Sequence, residues 1–102
     1  MTMFGFSKKD ITEKKLREWQ KAYRIEKIVD VAKTGTTISR MRAIAVLEEV
    51  NMSQVKTQLI NFLEDPTPAI ALRAADALEH MGVVPEERSL IEACRKKHKK
   101  AG

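Results

Sequence analysis

The stretch that decides the fold is DPTPAIALRAADALEHMG, residues 65–82. It opens with a turn that contains two prolines, continues as an alanine-rich run whose apolar residues recur every three or four positions, and stops at Gly82. This spacing is typical of an amphipathic helix, with proline in its first turn and glycine after its last turn. The stretch therefore predicts a helix that begins near Pro68 and ends at Gly82.

The same pattern occurs 31 residues earlier in the chain. One set of residues falls on another at this offset: Met41, Arg42, Ala43, Val46, Leu47, Glu48 and Val50 on Leu72, Arg73, Ala74, Ala77, Leu78, Glu79 and Met81. The preceding helices follow the same offset, from Ile28 through Leu59 to Leu90. A fixed period of this length predicts helix pairs that stack on one another. Leu47 and Leu78 should then have like surroundings, and so should Leu59 and Leu90.

The remaining sequence predicts five or six helices and no strand, because alternating β-branched and aromatic runs are missing. Ser7 and Asp10 predict a capping box that starts the first helix at Lys8, with Phe6 packed against Ile11. Neither glycine nor proline interrupts residues 8–33. One long helix and two helices that meet near residues 20–22 are both open alternatives there.

Three further helices are expected. Thr34-Gly35-Thr36-Thr37 predicts a glycine exit and a threonine cap before a helix from about Ile38 to Val50. Ser53 predicts the cap of a helix to about Glu64. Pro85, followed by Glu86 and Glu87, predicts the start of the last helix, since acidic residues favour a helix N-terminus.

The second unit also carries a family resemblance. Its turn, residues 65–70, followed by Ala74, Ala77, Leu78, Met81 and Gly82, resembles the short HEAT-like repeat of the kind found in phycobilin lyases. The resemblance implies an all-α fold in one domain, residues 1–102: a short right-handed α-solenoid of antiparallel helix pairs. The expected parts are a half unit 7–21, repeat units 22–51 and 53–82, and a half unit 84–99 with a basic tail.

In this family an arginine of the second helix pairs with an aspartate in the turn of a neighbouring unit. Arg40 matches that arginine and Asp65 matches that aspartate, so the resemblance implies a structural salt bridge between them. Ala71 and Thr34 stand at the other arginine and aspartate positions. Only one such pair is therefore expected.

The composition is that of a small globular protein of a reducing compartment. The chain has 102 residues, 43% of them hydrophobic, and a single cysteine, which makes no internal disulfide. It lacks an apolar run long enough to cross a membrane, and residues 1–6 are too short for the core of a signal peptide. A cytoplasmic location and no membrane partner are expected.

The sequence contains none of the common catalytic signatures. Cys94 and His98 are four residues apart on one helix, but two ligands do not close a zinc site, and Cys94 occupies an apolar position of the repeat. Glu48 and Glu49 are adjacent and so do not face each other on a helix. We expect no enzyme activity, no cofactor and no metal site.

A non-catalytic protein-binding module or adaptor is the function that these patterns favour. The candidate partner-binding residues are repeated surface positions and an aromatic pair: Arg42, Arg73, Glu49, His80, Trp19 and Tyr23. The aromatic pair has a second interpretation, as a cover for the exposed edge of the first unit.

Two alternatives come from charge and from the resemblance. The net charge of +5, concentrated at both ends, is compatible with a nucleic-acid-binding accessory protein. Its candidate residues are Lys8, Lys9, Arg95, Lys96, Lys97, Lys99 and Lys100, although tail cations also favour a helix C-terminus.

The resemblance further implies an accessory subunit of a cofactor-attaching or modifying enzyme. Finally, Leu90, Ile91 and Cys94 on an uncapped last helix leave a homodimer and a monomer as equally open alternatives.

Overall fold

The computed structural model describes residues 9–99, which form six α-helices and no strand. The helices are α1 (Glu13–Lys21), α2 (Ile25–Thr34), α3 (Thr37–Leu47), α4 (Ser53–Phe62), α5 (Pro68–Met81) and α6 (Pro85–Lys99). They divide into two units, one that ends at Leu47 and contains α1 to α3, and one that begins at Glu48 and contains α4 to α6. The predicted all-α class is confirmed.

The first helix begins later than the sequence predicts. The Thr12 hydroxyl caps α1 by accepting a hydrogen bond of 3.1 Å from the Lys15 N–H, and residues 9–12 are not helical. The predicted start at residue 8 is therefore wrong. The proposed Ser7 cap and the Phe6 packing lie outside the described residues.

Tertiary hydrogen bonds explain the late start. The Thr36 hydroxyl donates to the Asp10 carboxylate at 2.5 Å, and the Ile11 N–H donates to the hydroxyl of the fully buried Ser39 at 2.7 Å. Arg42 donates to the Ile11 carbonyl at 3.0 Å. These bonds fasten residues 10 and 11 to the start of α3, so their backbone groups do not continue α1 upstream. Asp10 thus serves α3 rather than a capping box of α1.

Two helices, not one, occupy residues 13–34. α1 ends in a Schellman motif, in which the Tyr23 N–H donates to the Gln20 carbonyl at 3.1 Å and the Arg24 N–H to the Trp19 carbonyl at 2.8 Å. Tyr23 has φ of 58°, the left-handed conformation that this motif requires. The two-helix alternative is confirmed, and the break falls at residues 22–24.

The turn between α2 and α3 follows the sequence prediction. Thr36 accepts a hydrogen bond from the Ser39 N–H at 3.1 Å, which satisfies a free donor in the first turn of α3. Gly35 is needed because a β-carbon there would lie 2.8 Å from the Val31 carbonyl oxygen and 3.1 Å from the Ser39 β-carbon.

The boundaries of the later helices, from the end of α3 onward, are partly as predicted. Pro68 opens α5, Gly82 follows its last residue with φ of 89°, and Pro85 opens α6. Two expectations are wrong. α3 ends at Leu47, before Val50, and Ser53 is the first residue of α4 rather than its cap.

Burial follows the 31-residue period in α3 and α5. Fully buried side chains stand at matched positions in both helices: Ala43 with Ala74, Val46 with Ala77, and Leu47 with Leu78. The alanines among them, Ala43, Ala74 and Ala77, let each helix approach its neighbours closely. The expectation that Leu47 and Leu78 have like surroundings is confirmed for their burial.

The burial period holds only in part in α6. Leu59 is fully buried in α4, whereas the matched Leu90 is 46% exposed. α6 buries Ile91, whose match Ile60 is only half-buried, whereas Cys94 keeps the burial of its match Leu63. The expected likeness of Leu59 and Leu90 is therefore wrong, because α6 turns a different face to α5 than the period requires.

The stacked solenoid and the Arg40–Asp65 salt bridge stay predictions, since the two residues belong to different units. Within its own unit, Arg40 donates to the Ala32 carbonyl at 2.6 Å. The Asp65 carboxylate accepts from the Thr67 N–H at 2.9 Å and so orders the turn before α5. None of the helices in residues 9–99 has the length and apolar content that crossing a membrane requires.

Candidate binding surfaces

Tyr23 combines an unfavourable backbone with an exposed ring. The position it holds in the Schellman motif usually belongs to glycine, because a β-carbon in the left-handed region costs about 1–2 kcal/mol. Burial of the ring could offset that cost, but Tyr23 is 87% exposed. The side chain therefore strains the turn and returns little packing energy to the fold.

Trp19 behaves differently from Tyr23. Its ring is half-buried, with the ammonium groups of Lys15 and Lys27 at 5.6 and 5.5 Å from the ring centroid. The cation–π contact with Lys27 joins α1 to α2, whereas Lys15 lies on α1 with Trp19. The structure thus gives Trp19 a place within the first unit, as the covering interpretation expects, and leaves Tyr23 in solvent.

The unit that contains Tyr23 carries more cations than anions. Residues 9–47 contain ten Lys and Arg against five Asp and Glu. Lys21 and Arg24, on either side of Tyr23, are both exposed. Arg24 lies 2.8 Å from the Glu26 carboxylate and lowers the pKa of Glu26 by that hydrogen bond. An exposed aromatic ring with a basic rim results.

In the second unit, Glu48 brings two predicted partner-binding residues together. Its carboxylate lies 2.7 Å from Arg73 Nη2 and 2.5 Å from His80 Nδ1. Arg73 and His80 are seven residues apart on α5, which places them on one face. His80 is 72% exposed at its side chain, whereas the Glu48 side chain is 17% exposed. The sequence did not predict Glu48 as a bridge, since its partners lie 25 and 32 residues away in the chain. The matched positions Arg42 and Glu49 are exposed.

The basic tail is only partly available to a partner. Arg95 lies 2.7 Å from the Asp76 carboxylate and 2.9 Å from the Glu79 carboxylate, which raises the pKa of Arg95 and lowers that of Glu79. The remaining described cations of the nucleic-acid candidate set are all exposed: Lys9, Lys96, Lys97 and Lys99. Lys8 and Lys100 lie outside the described residues.

A groove that the sequence did not predict runs between α4 and α6. Both helices pack against α5, and Lys56 and Glu87 join their first turns at 2.8 Å. Further along, the two helices leave an open space of about 440 Å³. Its apolar lining consists of Ile60, Leu63, Leu90, Ala93 and Cys94. The one sequence signal for it was the apolar Leu90 on the last predicted helix.

Cys94 is a structural residue of this groove. It is 5% exposed, and burial raises the pKa of its thiol, which disfavours the reactive thiolate. Its Sγ lies 3.7 Å from the Ala71 carbonyl oxygen. The interpretation of Cys94 as a packed apolar position is consistent with these contacts. Residues 9–99 contain no cluster of three or more metal-ligating side chains.

The ion pair between Lys56 and Glu87 predicts an acid-sensitive fold. Lys56 and, secondarily, the Val84 N–H lower the pKa of Glu87 below its ordinary value of 4.5. A carboxylate with a lowered pKa stabilises the folded state above its unfolded pKa, and this contribution is lost as the pH falls through the folded value. Glu87→Gln keeps an acceptor for the Val84 N–H but removes the charge. We expect the variant to lose less stability than wild type on acidification below about pH 4.5.

The measurement is the urea midpoint at a series of pH values from neutral to acidic. Glu86→Gln is the matched control, because Glu86 stands in the same first turn, is exposed and has no ion pair within residues 9–99. An acid dependence for Glu87→Gln that equals that of wild type would contradict the assignment.

Neither a protein-family model, nor a curated protein, nor a solved structure matches this chain. Over residues 9–99, the fold and the surfaces define a small all-helical protein with a strained, exposed tyrosine in its first unit and an open apolar groove in its second.

Proposed function

We propose that this chain is a non-catalytic protein-binding module or small adaptor, and that Tyr23 is its central contact residue. The observation that carries the proposal is the conformation of Tyr23. A side chain that strains a turn and lies 87% exposed serves the fold poorly, and strain of this kind is concentrated at functional sites. Tyrosine is also among the residues that most often dominate binding energy in protein interfaces.

The charges around Tyr23 define the chemistry of the partner. The exposed Lys21 would rim the contact beside the Arg24–Glu26 ion pair, so the partner surface should offer an apolar pocket with an acidic residue at its edge. Charges at the rim act mainly on the association rate. The Tyr23 ring, which becomes buried in the complex, sets the affinity. The HEAT-like resemblance supports the same function, because repeat surfaces of this kind present side chains to other proteins.

Photo-cross-linking tests the proposal. We would replace Tyr23 with p-benzoylphenylalanine in native cells and place the same residue at Lys33, which is exposed in the same unit, as the control. We expect a discrete protein adduct from position 23 and none from position 33. Excess wild-type protein should suppress the adduct, and excess Tyr23→Ala protein should not. No protein adduct at position 23, or one that the Tyr23→Ala protein suppresses equally well, would contradict the proposal.

The basic tail supports a second candidate, a nucleic-acid-binding accessory protein. Lys96, Lys97 and Lys99 are exposed and make no ion pair within residues 9–99, so they are available to phosphates. Binding of this kind weakens steeply as salt rises from about 50 to about 200 mM. Duplex binding that shows this dependence and is lost on replacement of the three lysines by alanine would favour the second candidate. Absence of binding at low salt would exclude it. The accessory-subunit alternative rests on the resemblance alone.

A further inference from the structure

The groove between α4 and α6 carries two opposite charges on its two walls. Glu64 follows α4 and Lys97 lies on α6, and both line the groove beside its apolar floor. Within residues 9–99 neither side chain makes an ion pair. The space between the two walls is open. Each wall therefore presents an unpaired charge. The opposite wall of the same groove in a second copy of this chain could neutralise it.

The geometry of the two helices makes the groove self-complementary. α4 and α6 run in the same direction, since Lys56 contacts Glu87 at their first turns and Glu64 and Lys97 line the groove near their last turns. A two-fold axis along the groove would place α4 of one copy opposite α6 of the other. In an isologous interface of this kind, each contact between two residues is formed twice, once in each direction. Glu64 of each copy would then face Lys97 of the other.

The exposed leucine fits the same arrangement. Leu90 is 46% exposed and lines the groove, whereas Ile91 and Cys94 beside it are buried. In the two-fold arrangement Leu90 of each copy would enter the groove of the other and meet Ile60 and Leu63. Removal of this apolar surface from water supplies the driving force, and the charge pairs select the register.

We propose that the α4–α6 groove is the interface of a homodimer, in which Glu64 and Lys97 form two reciprocal ion pairs across a two-fold axis. The interface lies within the second unit and does not involve Tyr23. The proposal is therefore independent of the binding role proposed for Tyr23, and either can fail without the other.

Charge exchange tests the interface. Sedimentation equilibrium of the full chain should show a dimer whose dissociation constant rises about tenfold in Glu64→Lys and in Lys97→Glu, because each single change places like charges opposite each other. The double variant Glu64→Lys/Lys97→Glu should restore the wild-type dissociation constant. The matched control is Glu92→Lys, an exposed position of α6 that does not line the groove, which should leave dimerisation unchanged.

A second variant tests the apolar part. Leu90→Glu would place a charge in the groove and should leave only monomer, with an unchanged helical circular-dichroism spectrum because Leu90 is half-exposed. A wild-type chain that stays monomeric at millimolar concentration would overturn the proposal. So would a dimer that the single exchanges leave unaffected, or a double variant that does not recover.

Discussion

Leu59→Ala should lower the free energy of unfolding by about 2–5 kcal/mol, whereas Leu90→Ala should lower it by about 1 kcal/mol or less. The two leucines hold matched positions of the 31-residue period, yet Leu59 is fully buried and Leu90 is 46% exposed. Truncation at Leu59 leaves a cavity in a close-packed interior. Truncation at Leu90 removes surface that water already contacts in part, and no enclosed cavity forms.

Urea denaturation followed by circular dichroism measures the difference. The protein concentration should be as low as the signal allows, because a dimer would cover Leu90 and add to the cost of its truncation. Leu47→Ala and Leu78→Ala form a matched pair of controls, since both leucines are fully buried and both changes should cost about 2–5 kcal/mol. Equal losses for Leu59→Ala and Leu90→Ala in the monomer would show that the period does set burial in α6.

Tyr23→Gly should separate stability from binding. Glycine takes a positive φ without a β-carbon penalty, so the variant should gain about 1 kcal/mol of stability. For a domain of this size that gain corresponds to a rise in Tm of about 4–8 °C. Partner binding should weaken about 30-fold, which is the loss expected when an aromatic residue that contributes about 2 kcal/mol is removed from an interface.

Tyr23→Ala provides the control for this result. Alanine keeps the β-carbon and therefore the backbone strain, so it should lose binding without the gain in stability. Thermal unfolding measures the first effect, and competition with the Tyr23 photo-adduct measures the second. A Tyr23→Gly variant that competes as well as wild type would contradict the proposed role of the ring. A variant that is no more stable would contradict the strain.

Local signals in the sequence predicted the boundaries that depend on nearby residues. Pro68, Gly82 and Pro85 stand where the sequence places them, because ring closure and the absence of a β-carbon act within a single turn. The start of α1 was mispredicted for the opposite reason. Ser39 and Thr36, more than 25 residues away in the chain, bind residues 11 and 10 and leave Thr12 as the cap.

The candidate surfaces were predictable in part. Tyr23 was identified from its aromatic character, but its positive φ follows from the break between α1 and α2, which the sequence left open. Glu48 was not predicted as a bridge between Arg73 and His80, because the contact joins the end of one segment to a distant helix. The groove was not predictable from the sequence. Its walls belong to α4 and α6, and its opening depends on how each of these helices packs against α5.

The sequence by itself determined the all-helical class, the approximate positions of the later helices and the matched burial of α3 and α5, because apolar spacing and turn residues act over short distances. Tertiary structure alone decided which face of α6 is buried. A helix with apolar residues at Leu90, Ile91 and Cys94 has two adjacent faces to offer, and packing against α5 selects one of them. That choice exposes Leu90 and opens the groove.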